Sequence, residues 1–126
     1  MDHNAFVYST RLARIKHFVD KHYAEPLSLQ AAARAAGLEK TYFCKYFRQK
    51  TGLGYRDWLS RIRVERALER LREGKHSITR IALDVGFADL RTFERAFQRH
   101  TGQCAQALRK QPFASAAEHL VDRAVG

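Results

Sequence analysis

The chain has 126 residues, a length that suits one compact domain or two very small ones and excludes a large multidomain enzyme. Lysine and arginine outnumber aspartate and glutamate by 23 to 13, and the resulting formal net charge of +10 favours a polyanionic partner or an anionic membrane surface. Because 45% of the residues are hydrophobic, the chain can build a core, which excludes disorder as its dominant state.

The cysteines and histidines give no sign of a metal site or an enzyme. Cys44 and Cys104 are too few for a disulfide framework or a cysteine-rich zinc site, which indicates a reduced, cytosolic protein without a cofactor. Charged residues interrupt the first 25 positions, so we expect neither a signal peptide nor a membrane span there. No glycine-rich phosphate loop, HExxH motif or nucleophile motif occurs. The sequence predicts a cytoplasmic protein that is not an enzyme.

Good helix formers fill the stretches between two prolines and seven glycines, so we predict an all-α protein. The first helix is expected from about Thr10 to Ala24, and the second follows an N-cap at Ser28 and ends at Gly37. A third helix is expected over about Glu39 to Lys50 and a long fourth helix over Tyr55 to Glu73. The residues expected on their buried stripes are Leu12, Ile15, Phe18, Val19, Tyr23, Leu29, Ala32, Ala33, Ala36, Phe43, Phe47, Trp58, Leu59, Ile62, Leu68 and Leu71.

The pattern of residues 28–59 returns about fifty positions later, which indicates an internal duplication. A serine cap, a small alanine, a turn glycine, a phenylalanine pair and a Thr-Gly stop recur in the same order. The matched residues are Ser28, Leu29, Ala33 and Gly37 with Ser77, Ile78, Ala82 and Gly86 at an offset of 49, and Phe43, Lys45, Phe47, Thr51 and Gly52 with Phe93, Arg95, Phe97, Thr101 and Gly102 at an offset of 50.

Each repeat has the features of a helix-turn-helix unit. The alanine lets two helices cross closely, the glycine supplies a left-handed turn, and Leu38 or Phe87 is expected to anchor that turn in the core. The second helix of such a unit lies in the major groove of DNA with its outer face toward bases and phosphates. The outward residues predicted here are Lys40, Thr41, Cys44, Lys45 and Arg48 in the first repeat, and Arg91, Thr92, Glu94, Arg95 and Arg99 in the second.

The run from Ser77 to Phe87, followed by Phe93 to Phe97 and Thr101-Gly102, resembles the signature of the AraC/XylS family of bacterial transcription regulators. The stretches Leu29 to Gly52 and Trp58 to Ala67 match the same family pattern, so the resemblance covers about residues 12 to 109. It implies a seven-helix domain with two helix-turn-helix subdomains joined by a linker helix. It also implies promoter DNA and RNA polymerase as partners, with activation of transcription as the usual outcome.

Family position also implies which residues approach the DNA bases. These residues are Thr41, Cys44, Lys45, Arg91, Thr92, Glu94 and Arg95. We expect Arg91 and Arg95 to discriminate between bases, since a guanidinium can fork onto guanine, and Cys44 to contact a thymine methyl group. Family members usually have a proline where this chain has Tyr55 and Ala105, and an aromatic residue where it has Leu108.

The predicted linker helix rises roughly 28 Å, which is close to the ~34 Å of one DNA turn. We therefore expect the recognition helices to enter successive major grooves of an asymmetric site on the order of 20 base pairs, bound by a monomer. The predicted division is 1–53 for the first subdomain with its N-terminal helix, 54–74 for the linker, 75–109 for the second subdomain and 110–126 for a tail with a short final helix. Phosphate contacts are expected for Ser28, Lys40, Arg48, Arg61, Ser77 and Arg99, with N-capping alone as the other interpretation of the two serines.

Several alternatives stay open. The chain could be the DNA-binding portion of a longer, effector-responsive regulator, or a module that binds nucleic acid without sequence preference. A role on RNA or a membrane surface would also use the positive charge. Single-strand binding requires exposed aromatic residues, and the phenylalanine pairs are expected inside, with Tyr42 and Tyr46 as the exceptions. Cys104 is expected in the core.

Overall fold

The computed structural model describes residues 10–109, and every regular element in this range is an α-helix. The all-α prediction is confirmed over these residues, while the short final helix predicted within 110–126 lies outside them. No helix of the described range is long and apolar enough to span a bilayer. The helices are α1 (Thr10–His22), α2 (Leu29–Ala36), α3 (Lys40–Thr51), α4 (Tyr55–Glu73), α5 (Ile78–Asp84), α6 (Leu90–Thr101) and α7 (Ala105–Arg109).

The contacts divide the chain into two compact units between Leu59 and Ser60. The first unit holds α1, α2, α3 and the start of α4, and its centre is aromatic. Phe47 packs 5.2 Å from Trp58 between ring centroids and meets Tyr55 edge-on at 5.9 Å, an arrangement that favours the ring quadrupoles. The buried residues around this cluster include Leu12, Ile15, Val19, Ala32, Ala33, Ala36, Phe43 and Leu53.

The second unit holds the rest of α4 with α5, α6 and α7. Phe87, just after the turn glycine, meets Phe93 edge-on at 5.3 Å, which ties the turn to the recognition helix. Arg109, at the end of α7, donates a hydrogen bond to the carbonyl of His76 and so closes this unit. The buried residues here include Val64, Ala67, Leu68, Leu71, Ile81, Ala82, Val85, Phe97, Ala105 and Leu108.

The duplication seen in the sequence is also present in the hydrogen bonds. The hydroxyls of Ser28 and Ser77 each accept from the backbone N–H three residues later at 3.1 Å, with the same φ of −67° and ψ of 159°. The hydroxyls of Thr51 and Thr101 each donate at 2.7 Å to the carbonyl four residues earlier. The predicted serine caps are therefore confirmed.

Four helix boundaries sharpen or correct the sequence prediction. Helix α1 ends at His22 and not at Ala24, since the His22 carbonyl turns to accept from Glu25 N–H at 2.9 Å. Helix α3 begins at Lys40, because Glu39 serves as its N-cap. Helices α4 and α7 begin at Tyr55 and Ala105, so neither needs a proline in its first turn.

The prediction that Cys104 lies in the core is wrong, since this residue is exposed. Its carbonyl accepts from Leu108 N–H at 3.3 Å, so Cys104 occupies the N-cap position of α7, where a side chain lies at the edge of the helix. The equivalent position in the first repeat is Gly54, whose carbonyl accepts from Trp58 N–H at 3.1 Å. Five residues predicted to be inside are only half-buried: Phe18, Tyr23, Leu29, Leu38 and Ile62.

Candidate nucleic-acid interface

Helix α3 has one buried stripe and one polar face. Phe43 and Phe47 are fully buried one turn apart, so the opposite side of the helix is turned to solvent. Lysine and arginine provide four cations on this helix, and no acidic residue lies within it. The predicted contact residues of this helix, all exposed, are Lys40, Thr41, Cys44, Lys45 and Arg48.

Helix α6 repeats this design with different outer residues. Phe93 and Phe97 are fully buried, and Ala96 and His100 join them on the inner side. A single carboxylate, Glu94, lies among three arginines on the outer side. The predicted contact residues of this helix, all exposed, are Arg91, Thr92, Glu94, Arg95 and Arg99.

Both recognition helices begin at a carboxylate that the sequence analysis overlooked. Glu39 accepts from the backbone N–H groups of Thr41 and Tyr42, each at 3.0 Å, and Asp89 accepts from that of Thr92 at 2.7 Å. Aspartate directly before an amphipathic helix is a recognised cap signal, which would have located Asp89.

These backbone hydrogen bonds set the charge of the two caps. They are the main cause that lowers the pKa of Glu39 and the pKa of Asp89 below the ordinary values of such groups. Nearby cations lower both pKa values further. Lys40 acts on Glu39, and Arg91 and Arg95 act on Asp89. Each recognition helix therefore begins at a group that is anionic at neutral pH.

The residues predicted to contact phosphates differ in their exposure and in the protein groups that they contact. The guanidinium of Arg48 lies over Gly54, where an added β-carbon would come within 3.1 Å of Nη2. Arg99 Nη2 donates to Ser60 Oγ at 2.9 Å, and Arg61 is half-buried on α4. Ser28 and Ser77 are exposed, with their hydroxyls engaged as caps as described above.

One aromatic residue of α3 is largely exposed, and it is one of the two tyrosines that the sequence analysis named as exceptions to the buried aromatic pairs. Tyr42 is 56% exposed, and its ring stacks on that of Tyr46 with 6.3 Å between centroids. The two tyrosines are four residues apart, which places them one helical turn apart on the same side of α3. Phe43 and Phe47 have the same spacing, so spacing alone does not distinguish the exposed pair from the buried one.

Comparison with known proteins identifies the family. Residues 32–111 match a family model described as a helix-turn-helix domain. The transcriptional activator RhaS of Escherichia fergusonii is 33% identical over 101 residues, which cover 78% of this chain and 36% of RhaS. The chain belongs to the AraC/XylS family of helix-turn-helix DNA-binding regulators. The predicted family resemblance is thereby confirmed.

Solved structures of the AraC/XylS type share the fold. The C-terminal domain of AraT, a response regulator from Geobacillus stearothermophilus, superposes with a TM-score of 0.76 at 26% identity, covering 85% of this chain and 89% of that one. The DNA-binding domain of the transcription factor AdpA, solved with a target DNA, gives 0.74 at 27% identity, covering 80% and 91%. The matched region spans about a third of the length of RhaS and of two other curated relatives, the Msm operon regulatory protein of Streptococcus mutans and PocR of Salmonella typhimurium.

Proposed function

We propose that this AraC/XylS-type chain binds an asymmetric promoter site of about 20 base pairs as a monomer and activates transcription. The observation that carries the proposal is the presence, in one chain, of two helices with the same buried frame and different outer faces. Because a dimer of identical subunits presents the same helix twice, it suits a palindromic site. Two unlike helices in one chain suit a site without that symmetry.

The difference between the faces is visible position by position. Thr41 and Lys45 of α3 correspond to Arg91 and Arg95 of α6 at an offset of 50, and Cys44 corresponds to Glu94. A pair of arginines can each donate two hydrogen bonds to guanine, and a carboxylate can accept from the amino group of cytosine. We assign base contacts to these six residues and to Thr92.

The remaining contact residues hold the two units on the phosphate backbone. Lys40 and Arg48 flank the outer face of α3, and Arg99 lies on the outer side of α6 near its C-terminal end. Cations at the margin of a recognition helix meet phosphates, which positions the helix without selecting a base. We assign the same role to Arg61 and to the starts of α2 and α5 at Ser28 and Ser77.

The linker helix α4 runs from the first unit into the second and is continuous over 19 residues, a rise of roughly 28 Å along the helix. Activation is proposed by analogy with RhaS, which is named a transcriptional activator, and implies RNA polymerase as the protein partner.

A second candidate function differs in regulation and not in chemistry. The curated relatives are about three times as long as the matched region, so these helices could serve as the DNA-binding portion of an effector-responsive regulator. In that case the DNA contacts stay the same, and the activity of the whole protein depends on a ligand bound elsewhere. This candidate would be favoured if metabolites from a cell extract changed the DNA affinity of a longer chain that contains these helices but did not change the DNA affinity of the 126-residue chain.

The test is selection from a random duplex library, followed by titration of the selected duplex and a scrambled duplex over a series of salt concentrations. We expect an asymmetric consensus bound by one protein per site, with an affinity that falls steeply as salt rises. Equal affinity for both duplexes would contradict sequence-specific binding and leave a module without sequence preference. Tighter binding to RNA than to either duplex would overturn the proposal.

A further inference from the structure

Tyr42 is one of the few large apolar side chains that the described residues leave exposed. Of its surface, 56% is open to solvent although it lies on a helix whose other aromatic pair, Phe43 and Phe47, is fully buried. Single exposed hydrophobic residues are common on protein surfaces, so the informative feature of Tyr42 is where it lies, which is beside the polar face of α3. The position of this ring points to a partner.

The ring of Tyr42 is held in place on one side. It stacks on Tyr46 with an interplanar angle of 25° and centroids 6.3 Å apart, and the guanidinium of Arg11 lies 5.8 Å from the centroid of Tyr46. A tyrosine has only two side-chain torsions, so a stacked tyrosine loses little further entropy when its open face meets a ligand. Tyr42 is thus prepared for contact on its open side.

Tyr42 also lies next to Lys45 on the solvent side of α3, across Lys45 from Thr41 and Cys44. Successive residues of an α-helix are about 100° apart around the helix axis. Tyr42 is therefore about 60° from Lys45 in one direction, and Cys44 is about 100° from Lys45 in the other direction. Thr41 lies about 40° from Lys45 by the same count. Tyr42 is therefore nearer than Cys44 to the centre of the outer face of α3.

The second repeat has no aromatic residue at either of these positions. Thr92 stands at the place of Tyr42, and Ala96, which is buried, stands at the place of Tyr46. The outer face of α6 is instead dominated by arginines and Glu94. The two recognition helices therefore differ in an apolar group as well as in charge.

We propose that Tyr42 is a specificity-determining residue whose open ring face contacts the 5-methyl group of thymine in the major groove bound by α3. This inference rests on the proposed function. The 5-methyl group of thymine is the apolar feature that the major groove offers to a protein, and apolar side chains recognise it by excluding water. The part of the site bound by α3 should therefore contain a thymine next to Tyr42, and the part bound by α6 should favour G·C pairs, which arginine and glutamate recognise.

The experiment replaces each thymine of the selected duplex, one at a time, by deoxyuridine, which lacks only the methyl group. Affinity is measured for the wild-type chain and for Tyr42→Ala, Tyr42→Phe and Leu83→Ala. For the wild-type chain we expect at least one position where loss of the methyl weakens binding roughly threefold to fourfold, the effect of exposing one methylene-sized group. Tyr42→Ala should abolish that difference, whereas Tyr42→Phe should keep it. The control Leu83→Ala should also keep it, since Leu83 is the other exposed large hydrophobic residue of the described range and has no assigned DNA contact.

Three results would overturn the inference. The first is a selected site without thymine, or one in which no uracil substitution weakens binding. The second is a methyl effect that persists unchanged in Tyr42→Ala. The third is a Tyr42→Phe variant that no longer distinguishes thymine from uracil, since this variant keeps the ring face that is proposed to contact the methyl group. The preference of the wild-type chain for the selected over the scrambled duplex tests the proposed function separately, and thermal unfolding of each variant checks that it folds.

Discussion

Ser60 on α4 and the buried His100 at the end of α6 share a hydrogen bond, with Ser60 Oγ 2.8 Å from His100 Nε2. Arg99 Nη2 donates to the same hydroxyl at 2.9 Å. The last turn of the second recognition helix is therefore attached to the linker helix by polar contacts as well as by packing. The first repeat has Lys50, which is exposed, at the position of His100, so this attachment belongs to the second repeat alone.

Substitution Ser60→Ala should lower the free energy of unfolding by about 1–2 kcal/mol, because a buried polar group of His100 loses a hydrogen-bond partner. Urea denaturation followed by circular dichroism measures this change. The control Ser60→Thr keeps a hydroxyl at the same position and should retain most of the stability. An unfolding midpoint of Ser60→Ala equal to that of the wild-type chain would show that this hydrogen bond does not stabilise the fold.

The two buried threonines that end the recognition helices should respond alike to removal of the hydroxyl. Thr51 Oγ1 donates to Phe47 O at 2.7 Å and accepts from Leu53 N–H at 3.2 Å, and Thr101 repeats both bonds within 0.1 Å. Thr51→Val and Thr101→Val should each cost about 1–3 kcal/mol, since each leaves a backbone N–H without its acceptor.

The matched control for these variants is Thr79→Val, since Thr79 is exposed on α5. Its stability should stay within about 0.5 kcal/mol of the wild-type value, as is usual for surface substitutions. Urea denaturation of all three variants makes the comparison. A loss confined to only one of the two buried threonines would contradict the structural equivalence of the repeats.

The parts of the fold that local chemistry determines could be predicted from the sequence. Ser28 and Ser77 are strong N-cap residues, and Gly37 ends α2 with a φ of 71°, a conformation that other residues rarely adopt. The bounds of α4, Tyr55–Glu73, also agree with the prediction, because the turn residues on either side delimit the helix.

Features that depend on distant neighbours could not be predicted in this way. The attachment of His100 to Ser60 joins residues 40 positions apart, and no local pattern reports it. Cysteine is a commonly buried residue type, but Cys104 occupies the N-cap position of α7 and is exposed. The polar residues of the candidate site could be predicted from the sequence as the outward face of each helix. The exposed fraction of Tyr42 depends instead on tertiary packing, which buries the pair Phe43 and Phe47.

The anionic caps predict a pH dependence of stability. The pKa values of Glu39 and Asp89 are lower in the folded chain than in the unfolded one, so the unfolded chain takes up protons first as the pH falls. The stabilisation is therefore complete above the ordinary carboxyl pKa and is lost as the pH falls through the lowered value. We expect the thermal midpoint of the wild-type chain to drop more in acid than that of Asp89→Asn.

Asn is as good an N-cap as Asp but does not titrate, so Asp89→Asn separates the charge from the cap. Asp89→Ala removes both and should be less stable than Asp89→Asn across the pH range. Melting curves recorded from neutral pH down to the acid limit of folding test the comparison. Parallel declines for the wild-type chain and Asp89→Asn would show that the ionisation of this cap does not contribute.

Base recognition by Arg95 predicts a loss that depends on the DNA sequence and on the shape of the cation. Arg95→Ala should weaken binding to the selected duplex by about 1–3 kcal/mol and binding to a scrambled duplex by less. Arg95→Lys keeps the charge but not the planar fork that pairs with guanine, so it should lose much of the same discrimination. The control Lys75→Ala removes an exposed charge outside the helices and should affect both duplexes slightly and equally. Equal losses on both duplexes for Arg95→Ala, with full recovery in Arg95→Lys, would assign Arg95 to the phosphate backbone and leave base discrimination in the second repeat to Arg91 and Glu94.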